Sequence, residues 1–487
     1  MTAARPLAGQ RRRGGLVVVV GGGITGLTTA YYLKSRHGLD AIVVEASDRV
    51  GGKIRTDELA GVPVEAGPDT FLARVPWAAD LCRELGLGDE LIEPATANAF
   101  VWARGRLRPL PPGLVLGVPT GLPQLARSGL VSPAGMARAA LDVVLPRRRH
   151  GADPSVAEVI GARFGAEVVD NLVEPLLGGI NAGRADRLSL AATAPQLAEA
   201  ARDHRSLLLG LRVPTSAGPL FQSLRGGLER LVGRLVEEVD VRAGTTAGAI
   251  ERAADGRWKV AGLLADAVVV TVPALAAAPL VQTVSPVAAA ELRAIEYASV
   301  AVVTLGYAPS AVPRLPAGSG FLVPRTEHRL MTACTFLSSK WPDLASSGLV
   351  LLRVSAGRVD DERAVELDDG DLVGRLHREV AEAIGTTQTP VATRVDRWVR
   401  GFPQYAPGHV ARVERIEAAL ADHPGLTVAG AAYRGLGLAA CVRQAGEAAD
   451  RTAAGVAGVA AAGVAGDIAV ELRENGAHGR DPPRPHR

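Results

Sequence analysis

The chain has 487 residues, of which 47% are hydrophobic and 22% charged, a composition typical of a globular protein with a sizeable core. Its length predicts about two to four domains, and its composition excludes a disordered chain or a small disulfide-stabilised protein. The 54 basic residues nearly balance the 51 acidic ones, which does not indicate a nucleic-acid-binding face. Only four of the basic residues are Lys, and codon bias explains the Arg excess better than anion recognition does.

The cysteine, histidine and N-terminal patterns exclude several further classes. Three Cys residues lie far apart with no CxxC spacing, and nine His residues show no HxH or HExxH spacing, so we predict neither disulfides nor a metal site. Residues 1–14 are predicted to be a disordered tail, because the basic run Arg11–Arg13 precedes too short an apolar run for a signal peptide. No segment has the roughly 20 apolar residues of a transmembrane helix, so we expect a cytoplasmic location.

A glycine-rich turn joins two apolar runs near the N-terminus. Leu16–Val20 predicts a strand buried on both faces, and Ala41–Val44 predicts a second one, with a helical pattern between them. The intervening glycines have the GxGxxG spacing of a dinucleotide-binding turn. The residues predicted to bind the dinucleotide here are Gly21, Gly22, Gly23, Ile24, Thr25, Gly26, Glu45 and Ala46.

Physical reasons support this assignment position by position. Gly21 permits the tight turn, Gly23 lets backbone N–H groups approach a pyrophosphate, and Gly26 lets the helix pack closely on the strand. The N-terminus of the helix then faces the phosphate charge. Glu45 is placed to accept hydrogen bonds from a ribose 2′-hydroxyl, which disfavours the 2′-phosphate of NADP.

The twelve residues from position 45 read E-A-S-D-R-V-G-G-K-I-R-T. They resemble the second flavin motif of the amine oxidase and protoporphyrinogen oxidase superfamily, so the cofactor indicated is FAD rather than NAD. The resemblance places Arg49 along the adenosine and pyrophosphate, and Gly52 where the backbone approaches closely. It also places the positive charge of Lys53 near the phosphates. The alternative is that Lys53 is a solvated surface residue.

Further motifs, in family order over about residues 16–450, resemble the bacterial protoporphyrinogen/coproporphyrinogen oxidases. They lie at 64–72, 172–183, 223–228, 320–325, 402–409 and 429–441. The resemblance implies an α/β fold with three parts: a Rossmann-like FAD-binding domain of the glutathione-reductase and amine-oxidase type, a mixed-sheet substrate domain and a helical lid that touches the membrane surface. The predicted segments are 15–90, 221–295 and 405–473 for the FAD-binding domain, 91–220 for the lid, 296–404 for the substrate domain and 474–487 for a disordered tail.

The resemblance also implies further contacts with FAD. A backbone position near Ala247, in the strand-like stretch Val241–Ile250, meets the adenine, and Trp398 contacts the flavin unless it is an ordinary core Trp. Glycines around position 437 present N–H groups to the pyrimidine end of the flavin. The cofactor residues predicted in this way are Gly67, Pro68, Asp69, Thr70, Ala247, Trp398, Gly435, Leu436, Gly437 and Leu438.

The implied reaction removes six hydrogens from a porphyrinogen in three flavin cycles. Each cycle passes a hydride to flavin N5, and O2 takes up the electrons as H2O2. We therefore predict no catalytic side chain, because the cofactor carries the chemistry. Partners implied by the family are the porphyrinogen, O2, a weak peripheral contact with the inner face of the membrane and a transient contact with the next haem-pathway enzyme.

The predicted substrate site has apolar walls and a few cations. Ser319 stands where some relatives have a stacking aromatic, and Ala99 lies where the animal enzymes carry a propionate-binding Arg. Both departures favour an open pocket for the tetracarboxylate coproporphyrinogen III. The residues predicted to contact the substrate are Arg74, Leu177, Gly178, Gly179, Ile180, Ser319, Leu322 and Arg434.

Three alternatives stay open at this point. The first is oxidation of protoporphyrinogen IX, and the second is an amine or carotenoid oxidoreductase of the same superfamily. The third is a flavin-free prenyl-binding protein that shares the fold, since fold alone does not fix function. A yellow protein with flavin absorption would exclude the third.

Overall fold

A computed structural model describes residues 15–476, apart from 147, 149, 212–217 and 313. The predicted tail 1–14 and residues 477–487 lie outside the described residues. Residues 474–476, predicted to begin the C-terminal tail, instead continue the last helix, Leu438–Gly476.

A five-stranded parallel sheet forms the first layer of the molecule. Its strands, in spatial order, are Asp240–Arg242, Asp40–Val44, Leu16–Val20, Ala267–Val270 and Leu426–Val428. Every pairing is parallel, and the central Val-rich strands are buried on both faces, as their continuous apolar runs predict. The sheet therefore joins stretches of chain that are separated by more than a hundred residues.

Helices cover both faces of this sheet. Helices Ile24–His37, Glu229–Glu238 and the first part of Leu438–Gly476 pack on one face. Helices Ala274–Val281, Pro286–Arg293 and His409–Ala421 pack on the other. This doubly wound arrangement confirms the predicted α/β fold class.

A seven-stranded mixed sheet forms the second layer. Its strands, in spatial order, are Ala392–Pro403, Tyr297–Tyr307, Val350–Ala356, Met331–Phe336, Gly320–Leu322, Phe100–Ala103 and Arg106–Pro109. Helix Asp369–Ile384 covers one face through a core that includes Leu372, Leu376 and Val380. The opposite face presents Leu322, Ala333 and Ser355, which are paired in register and half-buried.

The helical region begins later than the sequence predicted. Strands Phe100–Ala103 and Arg106–Pro109 belong to the second sheet, although 91–220 was predicted as helical. Arg104 and Gly105, with φ of 56° and 71°, form the two-residue turn that matches the twist of a hairpin. The hairpin strands have four residues each, too short for a periodic pattern to reveal.

Helices with their own apolar core follow, of which seven are the main ones among the described residues. They are Leu122–Ser128, Pro133–Ala140, Val156–Phe164, Val169–Gly178, Leu190–Thr193, Pro195–Asp203 and Leu207–Gly210. Val169–Gly178 is a π-helix that contains Pro175, and such widened turns occur often at functional sites. This helix leads directly into the short helix Gly179–Asn181, which carries Gly179 and Ile180.

Smaller elements complete the described chain. The remaining strands are Thr56–Leu59, Val62–Glu65, Phe71–Leu72, Leu91–Ile92, Leu114–Val115, Val118–Pro119, Phe221–Leu224, Glu251–Arg252, Trp258–Val260 and Leu263–Ala265. The remaining helices are Trp77–Glu84, Gly88–Glu90, Leu141–Val143, Ala166–Val168, Gly179–Asn181, Pro309–Ala311, Arg325–Glu327, Leu337–Lys340, Pro342–Ala345 and Arg363–Glu366. Within the described ranges, no helix combines the length and apolar character needed to cross a membrane.

Candidate functional site

The first glycine turn leaves the carboxyl end of the central strand. Gly21 has φ of 111°, a conformation that favours glycine, and its N–H donates to Val44 O at 2.8 Å. A Cβ on Gly26 would lie 1.9 Å from Gly21 O, so a larger residue cannot fit there. The structure thus confirms that Gly26 is needed for close packing of helix and strand.

The acidic residue after the second strand lies beside this turn. One carboxylate oxygen of Glu45 accepts from Gly22 N at 2.7 Å, and the other accepts from Ser47 N at 2.9 Å. Thr245 N donates to Glu45 O at 2.8 Å, which brings the segment with Ala247 to the same end of the sheet. The predicted strand around Ala247 is wrong, because residues 243–250 run without regular structure after the short strand ends at Arg242.

A second glycine loop lies against the first. Gly51 N donates to Gly22 O at 2.7 Å, and a Cβ on Gly52 would lie 3.2 Å from Gly23 Cα. A Cβ on Gly23 would meet no heavy atom nearer than 4.0 Å, so that backbone stretch is open on its outer side. Two adjacent glycine loops at a helix N-terminus suit a pyrophosphate, because backbone N–H groups and the helix dipole favour its charge.

Arg49 braces the second loop from within. Its guanidinium donates to Val50 O at 2.8 Å, to Ile54 O at 3.1 Å and to Gly52 O. Its Nη1 also lies 3.6 Å from the Glu229 carboxylate. The structure therefore gives this guanidinium a loop-shaping role, and its placement along the cofactor stays a prediction.

Lys53 is half-buried between the layer of the parallel sheet and the layer of the second sheet. Burial lowers the pKa of its ammonium group, which faces Cys441 at the start of the last helix. Among the described residues, Lys53 Nζ has no ion-pair or hydrogen-bond partner. A desolvated cation without a protein counter-charge fits an anionic cofactor better than a solvated surface role.

The third segment precedes the helix that begins at Leu438. Gly435 has φ of 116°, and its N–H donates to the Tyr405 hydroxyl at 3.0 Å while its carbonyl accepts from Gln444 Nε2 at 3.0 Å. A Cβ on Gly437 would meet nothing within 4 Å. The loop is thus held rigidly while its backbone stays open before a helix N-terminus, which suits an electron-rich ring edge.

Residues 66–70 connect this region to the second sheet. Trp398 Nε1 donates to Ala66 O at 2.7 Å, Arg353 donates to Gly67 O, and a Cβ on Gly67 would lie 1.9 Å from Lys53 O. The segment with Gly67, Pro68, Asp69 and Thr70 therefore lies between the glycine loops and the strands of the second sheet. Trp398 is half-buried at this junction, which differs from an ordinary core Trp.

Asp69 is committed to protein cations. Its carboxylate lies 2.7 Å from Lys340 Nζ and 3.7 Å from Arg353 Nη1, and all three side chains are less than one-fifth exposed. Although burial favours the neutral acid, these charges lower the pKa of Asp69 to about 2. No sequence motif marks Lys340 or Arg353, although Lys340 is one of only four Lys residues in the chain.

Glu65 is a second buried acid beside this network. It accepts from Leu228 N at 2.5 Å and from Thr56 Oγ1 at 3.1 Å. Burial nevertheless raises the pKa of Glu65 to about 7, with Asp69 adding to the effect. Two acids within one short segment therefore have pKa values displaced in opposite directions.

Of the four neighbouring residues predicted to form one substrate wall, two are exposed and two are buried. Ile180 is 52% exposed and Gly179 is also exposed, so both are accessible to a ligand in the cleft, the space between the helical region and the second sheet. Leu177 is 2% exposed within the helical core, and Gly178 is buried, so their prediction as substrate contacts is wrong for this structure. The π-helix turns Leu177 inward, a displacement that α-helical periodicity does not predict.

The opposite wall comes from the second sheet. Ser319 donates from N and Oγ to Asn98 O at 2.8 and 3.0 Å, which places it next to Ala99. Leu322 follows on the face that also carries Ala333 and Ser355. The two departures noted in the sequence, Ser319 and Ala99, therefore lie side by side at one end of this wall.

The two predicted propionate partners do not face this wall together. Arg434 pairs with Glu417 at 2.6 Å and lines a surface cavity with Leu420, Val428 and Arg451, next to the edge strand of the parallel sheet. This pairing contradicts the prediction that Arg434 binds a propionate, because its guanidinium is already bound to a carboxylate at that edge. Arg74 is exposed on the surface after the short strand Phe71–Leu72.

Comparison with known proteins gives the chemical context of this geometry. The flavin containing amine oxidoreductases match residues 24–456 of the chain. Coproporphyrinogen III oxidase from Bacillus subtilis (strain 168) is 37% identical over 451 residues, which cover 88% of this chain and 96% of that protein. Protoporphyrinogen oxidase from Bos taurus is 31% identical over 478 residues, which cover 90% and 98%. A crystal structure from Exiguobacterium sp. 255-15, provisionally named a protoporphyrinogen oxidase, is 34% identical with a TM-score of 0.81, over 90% of this chain and 98% of that one.

Proposed function

Because the chain belongs to the flavin containing amine oxidoreductases, we propose that it oxidises coproporphyrinogen III to coproporphyrin III with O2 in bacterial haem synthesis. The observation that carries the proposal is the pair Ser319 and Ala99 on one wall of the cleft. These small side chains leave that wall without the aromatic and the Arg that suit a dicarboxylate macrocycle. A relative named coproporphyrinogen III oxidase supports the same substrate.

FAD is the cofactor, and when bound it accepts a hydride from the substrate and returns the electrons to O2. The chain's own residues bind and orient it. Glu45 would hold the ribose, and the turns at Gly23 and Gly52 would hold the pyrophosphate. Lys53 and the loop before Leu438 would place positive charge and N–H groups at its other end.

Protein groups then determine access and position. The Lys340–Asp69–Arg353 network fixes the short segment between the glycine loops and the substrate wall. Gly179 and Ile180 offer an open apolar wall on the other side of the cleft. No side chain is needed as a nucleophile or metal ligand, since the hydride acceptor is the cofactor.

Protoporphyrinogen IX is the second candidate substrate. The bovine relative, which is 31% identical, is named for that reaction. Protoporphyrin IX, the product of that reaction, has two carboxylate arms, whereas coproporphyrin III has four. The number of cations that the cleft offers therefore distinguishes the two candidates.

We propose in addition that the helical region makes a peripheral contact with the membrane. Three exposed apolar residues support this contact: Leu141 at 45%, Val144 at 65% and Leu209 at 47%, on elements that pack together. Co-sedimentation with anionic lipid vesicles should fall for Val144→Asp and Leu209→Asp. Equal sedimentation of the variants would contradict the contact.

Steady-state rates on both porphyrinogens test the proposed reaction. Purified protein should be yellow, and kcat/KM should be higher for coproporphyrinogen III than for protoporphyrinogen IX. Three molecules of H2O2 should form per porphyrin, because six hydrogens leave in pairs. A colourless protein that cannot be reconstituted with FAD would exclude every oxidase assignment.

A further inference from the structure

Two strands of the substrate wall are each followed, within three residues, by an arginine. Leu322, Ala333 and Ser355 lie side by side across three strands and form the part of the wall between the sheet and the helical region. Three residues beyond Leu322 the chain reaches Arg325, and three residues beyond Ser355 it reaches Arg358. Both cations therefore stand at the same end of one strip of the wall.

The helical region closes over this end. Val359 N donates to Ala182 O at 2.7 Å, which places Arg358 next to the end of the short helix that carries Ile180. Arg325 Nε lies 3.9 Å from the carboxylate of Glu174, on the π-helix that precedes this short helix. Arg325 and Arg358 thus lie where the sheet wall meets the wall formed by Gly179 and Ile180.

These two arginines have unused donors. Arg358 is only 9% exposed, yet its guanidinium makes no ion pair or side-chain hydrogen bond with any described residue. Arg325 donates from Nη2 to Asp360 at 3.2 Å, but its Nη1 is buried without an acceptor. Burying a donor unpaired costs free energy, so Arg325 Nη1 indicates an acceptor that comes from outside the chain. The unpaired guanidinium of Arg358 offers further donors beside it.

The neighbouring acids are already occupied. Glu174 accepts from Ala185 N at 2.6 Å, and Asp360 is shared with Arg184 at 2.7 Å. Asp361 is paired with Arg363 at 2.8 Å. Burial also lowers the pKa of Arg358, with the charge of Arg325 acting in the same direction, although the carboxylates of Glu174, Asp361 and Asp360 oppose this shift. An added carboxylate would relieve both effects.

We propose that Arg325 and Arg358 form a carboxylate subsite that binds one propionate arm of the macrocycle. This inference rests on the proposed function, which supplies a substrate with four such arms. Guanidinium groups suit the task because they bind carboxylates through two parallel hydrogen bonds. Arg325 and Arg358, rather than Arg74 and Arg434, therefore supply the positive charge at one end of the cleft.

Binding of coproporphyrin III to the FAD-loaded protein tests the subsite without turnover. Quenching of porphyrin fluorescence should give a Kd for the tetracarboxylate that is raised roughly tenfold or more in Arg358→Gln and in Arg325→Gln, the loss expected for a charge-assisted hydrogen bond. Coproporphyrin III tetramethyl ester should bind wild type and variants alike. Arg358→Lys should recover part of the affinity, and KM should rise while kcat changes little.

Two control variants separate recognition from stability. Arg363→Gln removes an exposed charge five residues from Arg358, and Arg184→Gln removes a cation that links the helical region to Asp360. Neither should change the Kd. Unchanged affinity in Arg358→Gln and Arg325→Gln, or an equal loss in Arg184→Gln, would overturn the subsite while leaving the proposed reaction in place. A wild-type protein that neither binds coproporphyrin III nor oxidises its porphyrinogen would overturn both.

Discussion

The flavin-binding segments and the substrate cleft differ in the kind of residue on which their geometry depends. The flavin-binding segments use backbone: Gly21, Gly26, Gly52 and Gly435 hold conformations or close contacts that favour glycine. The cleft uses side chains brought together from distant strands, as in the contact between Lys340 and Asp69, which are 271 positions apart. Substitution should therefore abolish folding where a glycine of the first region is closely packed, and have graded effects in the second region.

The largest effect should come from Gly26→Ala. Its Cβ would lie 1.9 Å from Gly21 O, a backbone atom that cannot move without separating helix and strand. We expect a loss of more than about 3 kcal/mol in the free energy of unfolding, or no folded protein. Chemical denaturation followed by circular dichroism measures it.

Gly23→Ala is the matched control for that variant. A Cβ there meets no heavy atom nearer than 4.0 Å, so the fold should be retained while FAD affinity falls. Denaturation of the apoprotein and titration with FAD separate the two quantities. If both variants fold equally well, the argument from close packing at Gly26 is wrong.

A graded but large effect is expected for Lys340→Met. The change leaves the Asp69 carboxylate with Arg353 at 3.7 Å as its remaining close cation. Breaking a buried ion pair typically costs roughly 3–5 kcal/mol, and the pKa of Asp69 should rise. Lys259→Met is the control, because Lys259 is 60% exposed and 3.9 Å from Glu251. Equal stability of the two variants would show that the buried network contributes nothing.

The pH dependence of stability should reveal Glu65. Its pKa is about 7 in the folded protein against 4.5 in the unfolded chain, so the folded state holds the proton more strongly between these values. Stability from this group is fully present below about pH 4.5 and is lost as pH rises to about 7, by about 3 kcal/mol in total. Comparing wild type with Glu65→Gln across this range isolates the contribution. A profile that is the same in both would contradict the raised pKa.

The smallest effect should come from Arg434→Gln. Arg434 forms a surface pair with Glu417, with both side chains 38% exposed, and such pairs contribute at most about 1 kcal/mol. We expect unchanged KM for the porphyrinogen. A large rise in KM would return Arg434 to the substrate site and contradict its placement at the edge of the parallel sheet.

The two regions also differ in how far the sequence predicts them. The parallel sheet and the turn at Gly21–Gly26 are encoded locally, by apolar runs and glycine spacing, so their prediction was accurate. The family resemblance is confirmed by the match over residues 24–456. Leu177 was misplaced because a π-helix shifts the side that each residue faces, and no pattern of apolar residues reports that shift.

Long-range partners were beyond the reach of sequence patterns. Arg353 lies in the apolar strand Val350–Ala356, and Arg358 lies just after that strand. Only the folded structure, in which this strand pairs with two others, shows which residues lie near the two arginines. In a chain this rich in Arg, residue type alone does not mark function. Lys340 was an available clue, because Lys is rare here and two of the four Lys residues, Lys53 and Lys340, lie in the site.

The ratio of kcat/KM for coproporphyrinogen III to that for protoporphyrinogen IX tests the central claim most directly. It should be measured with purified FAD-loaded protein, with H2O2 counted against porphyrin formed. We predict a ratio above one and three molecules of H2O2 per porphyrin. A ratio below one would contradict the assignment of coproporphyrinogen III as the substrate.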